Sequence, residues 1–191
     1  MSGETPPPAQ AATRPAGDLR PLIRDVPDFP KRGVVFKDIT PLLLDPSALA
    51  DCVRLMAERA PRPEAVVAIE SRGFVFGTAL ALHWAVPLVP ARKFGKLPGA
   101  TAREVYSLEY GEDAIEIHRD ALTRGQRVVV VDDLLATGGT ASAAARLVEQ
   151  LGARVEALLF VIELKGLGGR EKLTPYRVEA LIDYTVAGAR S

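Results

Sequence analysis

In Val128-Val129-Val130-Val131-Asp132-Asp133-Leu134-Leu135-Ala136-Thr137-Gly138-Gly139-Thr140, four consecutive valines run into two adjacent carboxylates and then into a loop of small residues. A β-branched run without polar alternation is the pattern of a central parallel strand, buried on both faces. That strand delivers Asp132 and Asp133 to the sheet edge. The loop from Ala136 to Thr140 opens directly into a helix expected over Ala141 to Leu151, which stops at Gly152. Gly138 and Gly139 let the backbone approach an anion closely, and Thr137 and Thr140 add hydroxyl donors. The unpaired N–H groups of the helix start complete a phosphate cradle. Carboxylates beside a phosphate repel it unless they have another task, and ribose hydroxyls, as donors, give them one. The stretch therefore reads as a ribose 5-phosphate site, with an acidic turn followed by an N-cap as the alternative. A Walker-type Gly-Lys-Ser/Thr is missing at the helix start, and no G-x-G-x-x-G follows a strand.

Outward from this motif, strands and helices alternate. Ala65 to Ile69 is a short apolar run fit for a buried strand, Glu70 to Gly73 a loop, and Phe74 to Trp84 a helix. Pro87 to Ala91 is a further strand. Arg92 to Arg103, rich in Gly, Lys and Pro, reads as a mobile loop. Glu104 to Tyr110 and Ala114 to Arg119 form a hairpin turning at Gly111-Glu112-Asp113, with Ile115 and Ile117 inward and Glu116 and His118 outward. Val155 to Ile162 and Val178 to Tyr184 are strands, the second at an edge. Upstream, Asp45-Pro46 pairs an N-cap with proline at the first helical position, and Leu49, Cys52, Val53 and Met56 mark one helix face. Residues 1–18 form a low-complexity Pro/Ala-rich lead, read as a disordered tail before one domain over 19–191. The class is α/β around a mainly parallel central sheet flanked by helices. In such sheets ligands bind beyond the carboxyl ends of the strands, which singles out Glu70–Gly73, Asp132–Thr140 and Glu163–Leu164.

Composition narrows the function class. Apolar residues make up 48% and charged residues 25%, as in ordinary globular chains. Twenty-four basic residues balance twenty-four acidic ones, so no global field favours nucleic acid or an anionic membrane. The single cysteine, Cys52, cannot form an intramolecular disulfide, and no Cys/His cluster has zinc spacing. No stretch reaches the ~18 consecutive apolar residues of a membrane span. Nor is there a signal-like start, so the cytoplasm is the expected compartment. His83, His118 and Trp84 read as ordinary structural residues.

The Val128–Thr140 stretch resembles the phosphoribosyl pyrophosphate (PRPP) motif of the type I phosphoribosyltransferase family, without a gap. Phe29-Pro30-Lys31-Arg32-Gly33-Val34-Val35-Phe36-Lys37-Asp38-Ile39-Thr40, Glu70-Ser71-Arg72-Gly73-Phe74-Val75-Phe76-Gly77, Arg92-Lys93-Phe94-Gly95-Lys96-Leu97-Pro98 and Tyr106-Ser107-Leu108-Glu109-Tyr110-Gly111 resemble blocks of its adenine-using members. The resemblance covers nearly everything after Pro21. It implies the type I fold with a small N-terminal hood and a flexible active-site loop, and transfer of the 5-phosphoribosyl group of PRPP to adenine, giving AMP and diphosphate. By the same resemblance Asp132 and Asp133 hold the ribose hydroxyls, and Ala136, Thr137, Gly138, Gly139 and Thr140 the 5′-phosphate. Ser71, Arg72, Arg92 and Lys96 bind the diphosphate, in a turn whose Glu70–Ser71 peptide would be cis. Glu109 is the proton acceptor. Phe36 and Leu164 sandwich adenine, with Val35 and Lys37 presenting backbone groups to its edge. Mg²⁺, held mainly by substrate oxygens and so without a dedicated ligand cluster, is the implied cofactor, and a homodimer the implied assembly.

Three positions depart from the family pattern: Arg32 replaces the usual proline, and Lys37 and Phe94 stand where other residues are common. Rival readings are a phosphoribosyltransferase for xanthine, hypoxanthine or orotate, a PRPP-sensing regulator that binds nucleic acid, and an inactive relic. The second needs a basic helical module that the short lead, with Arg14 as its one basic residue, does not supply. Intact Arg72 and Glu109 argue against the third.

Overall fold

The computed structural model describes residues 17–108 and 111–186. Most of the Pro/Ala-rich lead, and Glu109 with Tyr110, lie outside the described residues. The chain divides between Asp51 and Cys52 into two compact units.

In the N-terminal unit a single 3-10 turn, Arg20–Leu22, precedes two antiparallel strands, β1 (Arg24–Pro27) and β2 (Val35–Asp38). Two ion pairs brace the hairpin across the register positions Arg24↔Asp38 and Asp25↔Lys37. Arg24 Nε donates to Asp38 Oδ2 at 3.0 Å, and Lys37 Nζ to Asp25 Oδ1 at 2.6 Å. A short helix, α1 (Thr40–Leu44), follows; five residues are too few to show a helical period in sequence. Asp45 then caps α2 (Pro46–Glu58) as its sequence signature predicts. Its Oδ1 accepts the N–H groups of Ser47 and Ala48, each at 3.0 Å.

The larger unit holds a seven-stranded sheet in the order β5-β6-β4-β3-β7-β8-β9. Its elements in chain order are β3 (Ala65–Ile69), α3 (Gly73–Trp84), β4 (Leu88–Lys93), β5 (Thr101–Leu108), β6 (Gly111–His118), β7 (Arg127–Leu135), α4 (Gly139–Gln150), β8 (Arg154–Lys165), α5 (Gly169–Lys172) and β9 (Val178–Thr185). β4, β3, β7, β8 and β9 run parallel, and β5 and β6 form an antiparallel hairpin at one edge. The α/β reading with a mainly parallel sheet holds. Gly77 of α3 packs against Ala68, while α4 shares its core with Val67 and Val130. Because strand residues alternate between faces, the two helices cover opposite sides of the sheet. That double cover is why Val128 to Val131, each at most 1% exposed, show no polar alternation.

Three expectations need correction. β4 continues through Arg92 and Lys93 and β5 begins at Thr101, so the loop is 94–100 rather than Arg92 to Arg103. In the hairpin, pairing runs on to Leu108 opposite Gly111, so Gly111-Glu112-Asp113 belong to the second arm and not to the turn. Glu116, expected on a solvated face, is 2% exposed.

Candidate active site

β7 carries the acidic pair into the sheet rather than past its edge, since Asp132 still pairs with Phe160 and Leu135 with Glu163 of β8. Asp133 is 4% exposed, and Asp132 is half-buried. The Asp133 N–H donates to Asp132 Oδ1 at 2.8 Å. Arg72, beyond the end of β3, places Nε 3.0 Å from Asp133 Oδ2, a charge contact not aligned as a hydrogen bond. Burial and then the Asp133 charge push the Asp132 carboxyl well above its usual range. Asp133 is also raised by burial, with Arg72 pulling back.

After β7 the chain turns through Ala136 and an exposed Thr137 into α4, whose N-cap Gly138 has φ of 73°. A side chain there would be strained and would meet the Gly169 carbonyl at 2.7 Å. Gly169 in turn lies so near the Ala136 carbonyl that it admits no side chain. The start of α5 therefore backs the loop. The first N–H groups of α4, from Gly139 and Thr140 on, have no acceptor within the helix and line a cavity of about 100 Å³ running from Asp132 to Ala141.

Asp132 and Thr140 also border a second cavity of about 260 Å³, closed by Glu70, Lys93, Tyr106 and Asp113. Lys93 Nζ lies 3.2 Å from Asp113 Oδ2, to which the Tyr106 hydroxyl also donates at 3.2 Å. The Asp113 contact raises the Lys93 ammonium above its usual range, so it stays charged. The sequence marks Lys93 and Tyr106 only as parts of matching blocks, Glu70 only as the start of the Glu70–Gly73 segment, and Asp113 only as part of a turn. Their common signal is strand alternation: Lys93 pairs with Ile115, and Tyr106 with Asp113.

The diphosphate candidates are only partly gathered. Ser71 is exposed after a Glu70–Ser71 peptide that is cis, as the resemblance implies. Arg92 is not an open cation: its Nε and Nη2 donate to the two Glu70 oxygens at 3.0 and 3.2 Å. Lys96 has an exposed side chain on the 94–100 loop. Phe94, 59% exposed, lies under the Arg103 guanidinium, 4.6 Å from ring centre to Cζ. Glu109 lies outside the described residues.

Among the base candidates, Val35 is 48% exposed, and Phe36 packs edge-on against Phe29 with centroids 5.2 Å apart. The Lys37 side chain is turned to Asp25. β2 has one partner in its two-stranded sheet, so alternate backbone groups point away from β1. In the larger unit Leu164, half-buried, lies near the end of β8 beside Glu163. Glu163 is 5% exposed and takes Arg170 Nε and Nη2 at 2.9 and 2.6 Å.

No group of three or more His, Cys, Asp or Glu among the described residues is arranged to cage a metal. The oxygens of Asp132 and Asp133 suit a hard cation that keeps most of its shell for substrate and water. Asp133 Oδ2, buried and without a hydrogen bond, is an acceptor with capacity to spare.

The phosphoribosyl transferase domain family matches residues 42–187. The adenine phosphoribosyltransferase of Carboxydothermus hydrogenoformans is 55% identical over 169 residues, 87% of this chain and 99% of that one. The crystal structure of adenine phosphoribosyltransferase from Thermoanaerobacter pseudethanolicus superposes with a TM-score of 0.86 at 47% identity, covering 89% of this chain and 100% of that one. The Saccharomyces cerevisiae enzyme, solved with adenine and an imino-altritol bisphosphate, gives 0.81 at 42% identity over 87% and 97%. With an acidic pair and an anion loop at the strand ends, and relatives matched over nearly their whole length, this chain belongs to the phosphoribosyltransferase family, in its adenine phosphoribosyltransferase branch.

Proposed function

We propose that this chain transfers the 5-phosphoribosyl group of PRPP to adenine, releasing AMP and diphosphate. The observation that carries the reading is the juxtaposition on β7 of two raised, half-buried to buried carboxylates with a glycine loop at a helix N-terminus. Ribose hydroxyls donate to Asp132 and Asp133, and the 5′-phosphate takes N–H groups between Ala136 and Thr140. Arg72, Ser71, Lys96 and Lys93 face the diphosphate. Arg92, tied to Glu70, supports that arrangement from behind. Asp132 and Asp133 would lie beside a Mg²⁺ carried mainly by the substrate, and that ion would supply charge neutralisation for the departing diphosphate.

In the reaction the adenine N9 lone pair forms the bond to C1′ as the C1′–oxygen bond to diphosphate breaks, and the electron pair leaves with that oxygen. Adenine bound as its N7–H tautomer keeps N9 free to attack. Glu109 takes the N7 proton as the purine becomes cationic. Arg72 and Lys96 stabilise the charge that develops on the leaving group. Phe36 and Leu164 stack on the base, and the backbone of Val35 and Lys37 reads its edge. No helix among the described residues is long and apolar enough to cross a membrane; we place the enzyme in the cytoplasm, as a homodimer. Offering PRPP and Mg²⁺ with adenine, hypoxanthine, guanine or orotate, and separating the nucleotides, tests the reading. AMP from adenine alone is expected, and IMP, GMP or orotidylate as the main product overturns it.

A further inference from the structure

Glu116 sits on β6 between Arg92 of β4 and Arg103 of β5. Its carboxylate is directed at neither. Oε1 accepts the N–H groups of Lys96 and Leu97 at 3.1 and 3.0 Å, and Oε2 accepts the Thr101 hydroxyl at 3.0 Å. Burial acts to raise its pKa, yet these donors outweigh it and leave the carboxyl below its usual range. A buried ionised group is thus satisfied entirely by donors from residues 95–101, the segment between β4 and β5.

We propose that Glu116 is a positioning residue for the diphosphate end of the PRPP site. Its effect travels through the main chain of Lys96. The N–H of Lys96 is held by Glu116, and its carbonyl accepts Arg92 Nη1 at 3.1 Å. Arg92 grips Glu70 with its other nitrogens, and Glu70 Oε2 also accepts the Lys93 N–H at 3.0 Å. Glu70 leads directly into Ser71 and Arg72. One carboxylate therefore fixes where the Lys96 side chain starts, relative to the turn that carries Arg72. A carboxylate suits the task because it accepts three donors at once and competes for none. Removing it leaves the Leu97 N–H without an acceptor and the Lys96 N–H with only the Lys93 carbonyl at 3.2 Å, and the segment must rearrange to reach water. The exposed Lys96 ammonium moves with it.

This inference rests on the proposed diphosphate role of Lys96, and the test separates the two. In the full-length chain, Glu116→Ala is expected to raise the KM for PRPP and the inhibition constant of diphosphate about tenfold, while the KM for adenine stays within about twofold. Glu116→Gln, whose oxygen still accepts both N–H groups while Thr101 reverses its hydroxyl, restores both values. Amide exchange at Lys96 and Leu97 accelerates in Glu116→Ala alone. Lys96→Ala raises the same two constants, and Glu116→Ala adds little in that background. An unchanged KM for PRPP in Lys96→Ala overturns the diphosphate reading and the inference with it. A raised KM in Lys96→Ala but not in Glu116→Ala, or a Glu116→Ala effect equal on PRPP and adenine, overturns the positioning role alone. If Glu116→Ala does not fold, Thr101→Val removes one donor, and a KM for PRPP unchanged in that variant also overturns it.

Discussion

Asp133 Oδ2 accepts no hydrogen bond and lies 3.0 Å from Arg72 Nε, while the neighbouring Asp132 accepts the Asp133 N–H. Two carboxylates this close resist joint ionisation, and burial adds to the resistance. The Asp132 carboxyl is raised in the folded protein, so the folded state keeps a proton that the unfolded chain releases. That contribution to stability is present in full below about pH 4, the unfolded value for Asp, and is lost as pH rises through the raised value. The proposed binding of ribose has the opposite preference, because only the ionised form accepts both hydroxyl protons. Asp132→Asn is therefore expected to stabilise the unliganded protein at pH 8 by about 0.5–2 kcal/mol, a range typical when functional strain is relieved. The gain shrinks toward pH 4, as thermal unfolding across pH will record. The KM for PRPP should rise roughly ten- to hundredfold with loss of a charged hydrogen bond. A lower Tm at pH 8 refutes the strain argument. At Glu109 the expected change lies in chemistry alone. Glu109→Gln keeps the shape and removes the proton acceptor, so single-turnover rates should fall by about 100- to 10,000-fold. A loss below about threefold removes it from that role.

The loop proposed to hold the 5′-phosphate is backed by a second element. Gly169 at the start of α5 presses on the Ala136 carbonyl, and Arg170 holds that start in place through Glu163 and the Val178 carbonyl. Gly169→Ala must push Ala136 to Gly138 outward, and overpacking of this kind costs about 1–3 kcal/mol. The KM for PRPP should rise on the order of ten- to hundredfold, with the adenine KM little changed; an unchanged PRPP KM shows the loop does not need this support. Sequence alone disclosed the loop but not its support. Val128 to Val131 were legible because burial on both faces erases alternation. The end of β7 at Leu135 was not, because it is set by pairing with Glu163, a partner distant in the chain. Alternation placed Glu116 correctly on the face opposite Ile115 and Ile117, yet a period of two says nothing about whether a loop covers that face. Arg92 was legible as a cation, but not its neutralisation by Glu70, 22 residues earlier.

At the scale of the whole molecule the proposed reaction turns on the choice of base. Adenine and hypoxanthine have nearly the same outline. Adenine presents a donor at its 6-amino group and an acceptor at N1, and hypoxanthine reverses both. β2 has a single sheet partner, so its backbone can offer a carbonyl and an N–H on the edge away from β1. Main-chain groups cannot rotate to suit the wrong base, so hypoxanthine brings acceptor against acceptor and donor against donor. Sites that leave buried polar groups unpaired reject analogues by about 10⁴–10⁵ in kcat/KM, and that ratio is expected here. The Lys37 ammonium is turned to Asp25 at 2.6 Å, which leaves its backbone as the part able to read the base. Lys37→Ala should therefore loosen the β1–β2 hairpin slightly, as surface ion pairs are worth about 0–1 kcal/mol, and leave the adenine preference nearly intact. Competition assays with both bases measure the ratio in wild type and variant. A ratio that collapses only in Lys37→Ala assigns the recognition to the side chain. Equal use of the two bases by the wild type removes the adenine assignment while leaving phosphoribosyl transfer in place.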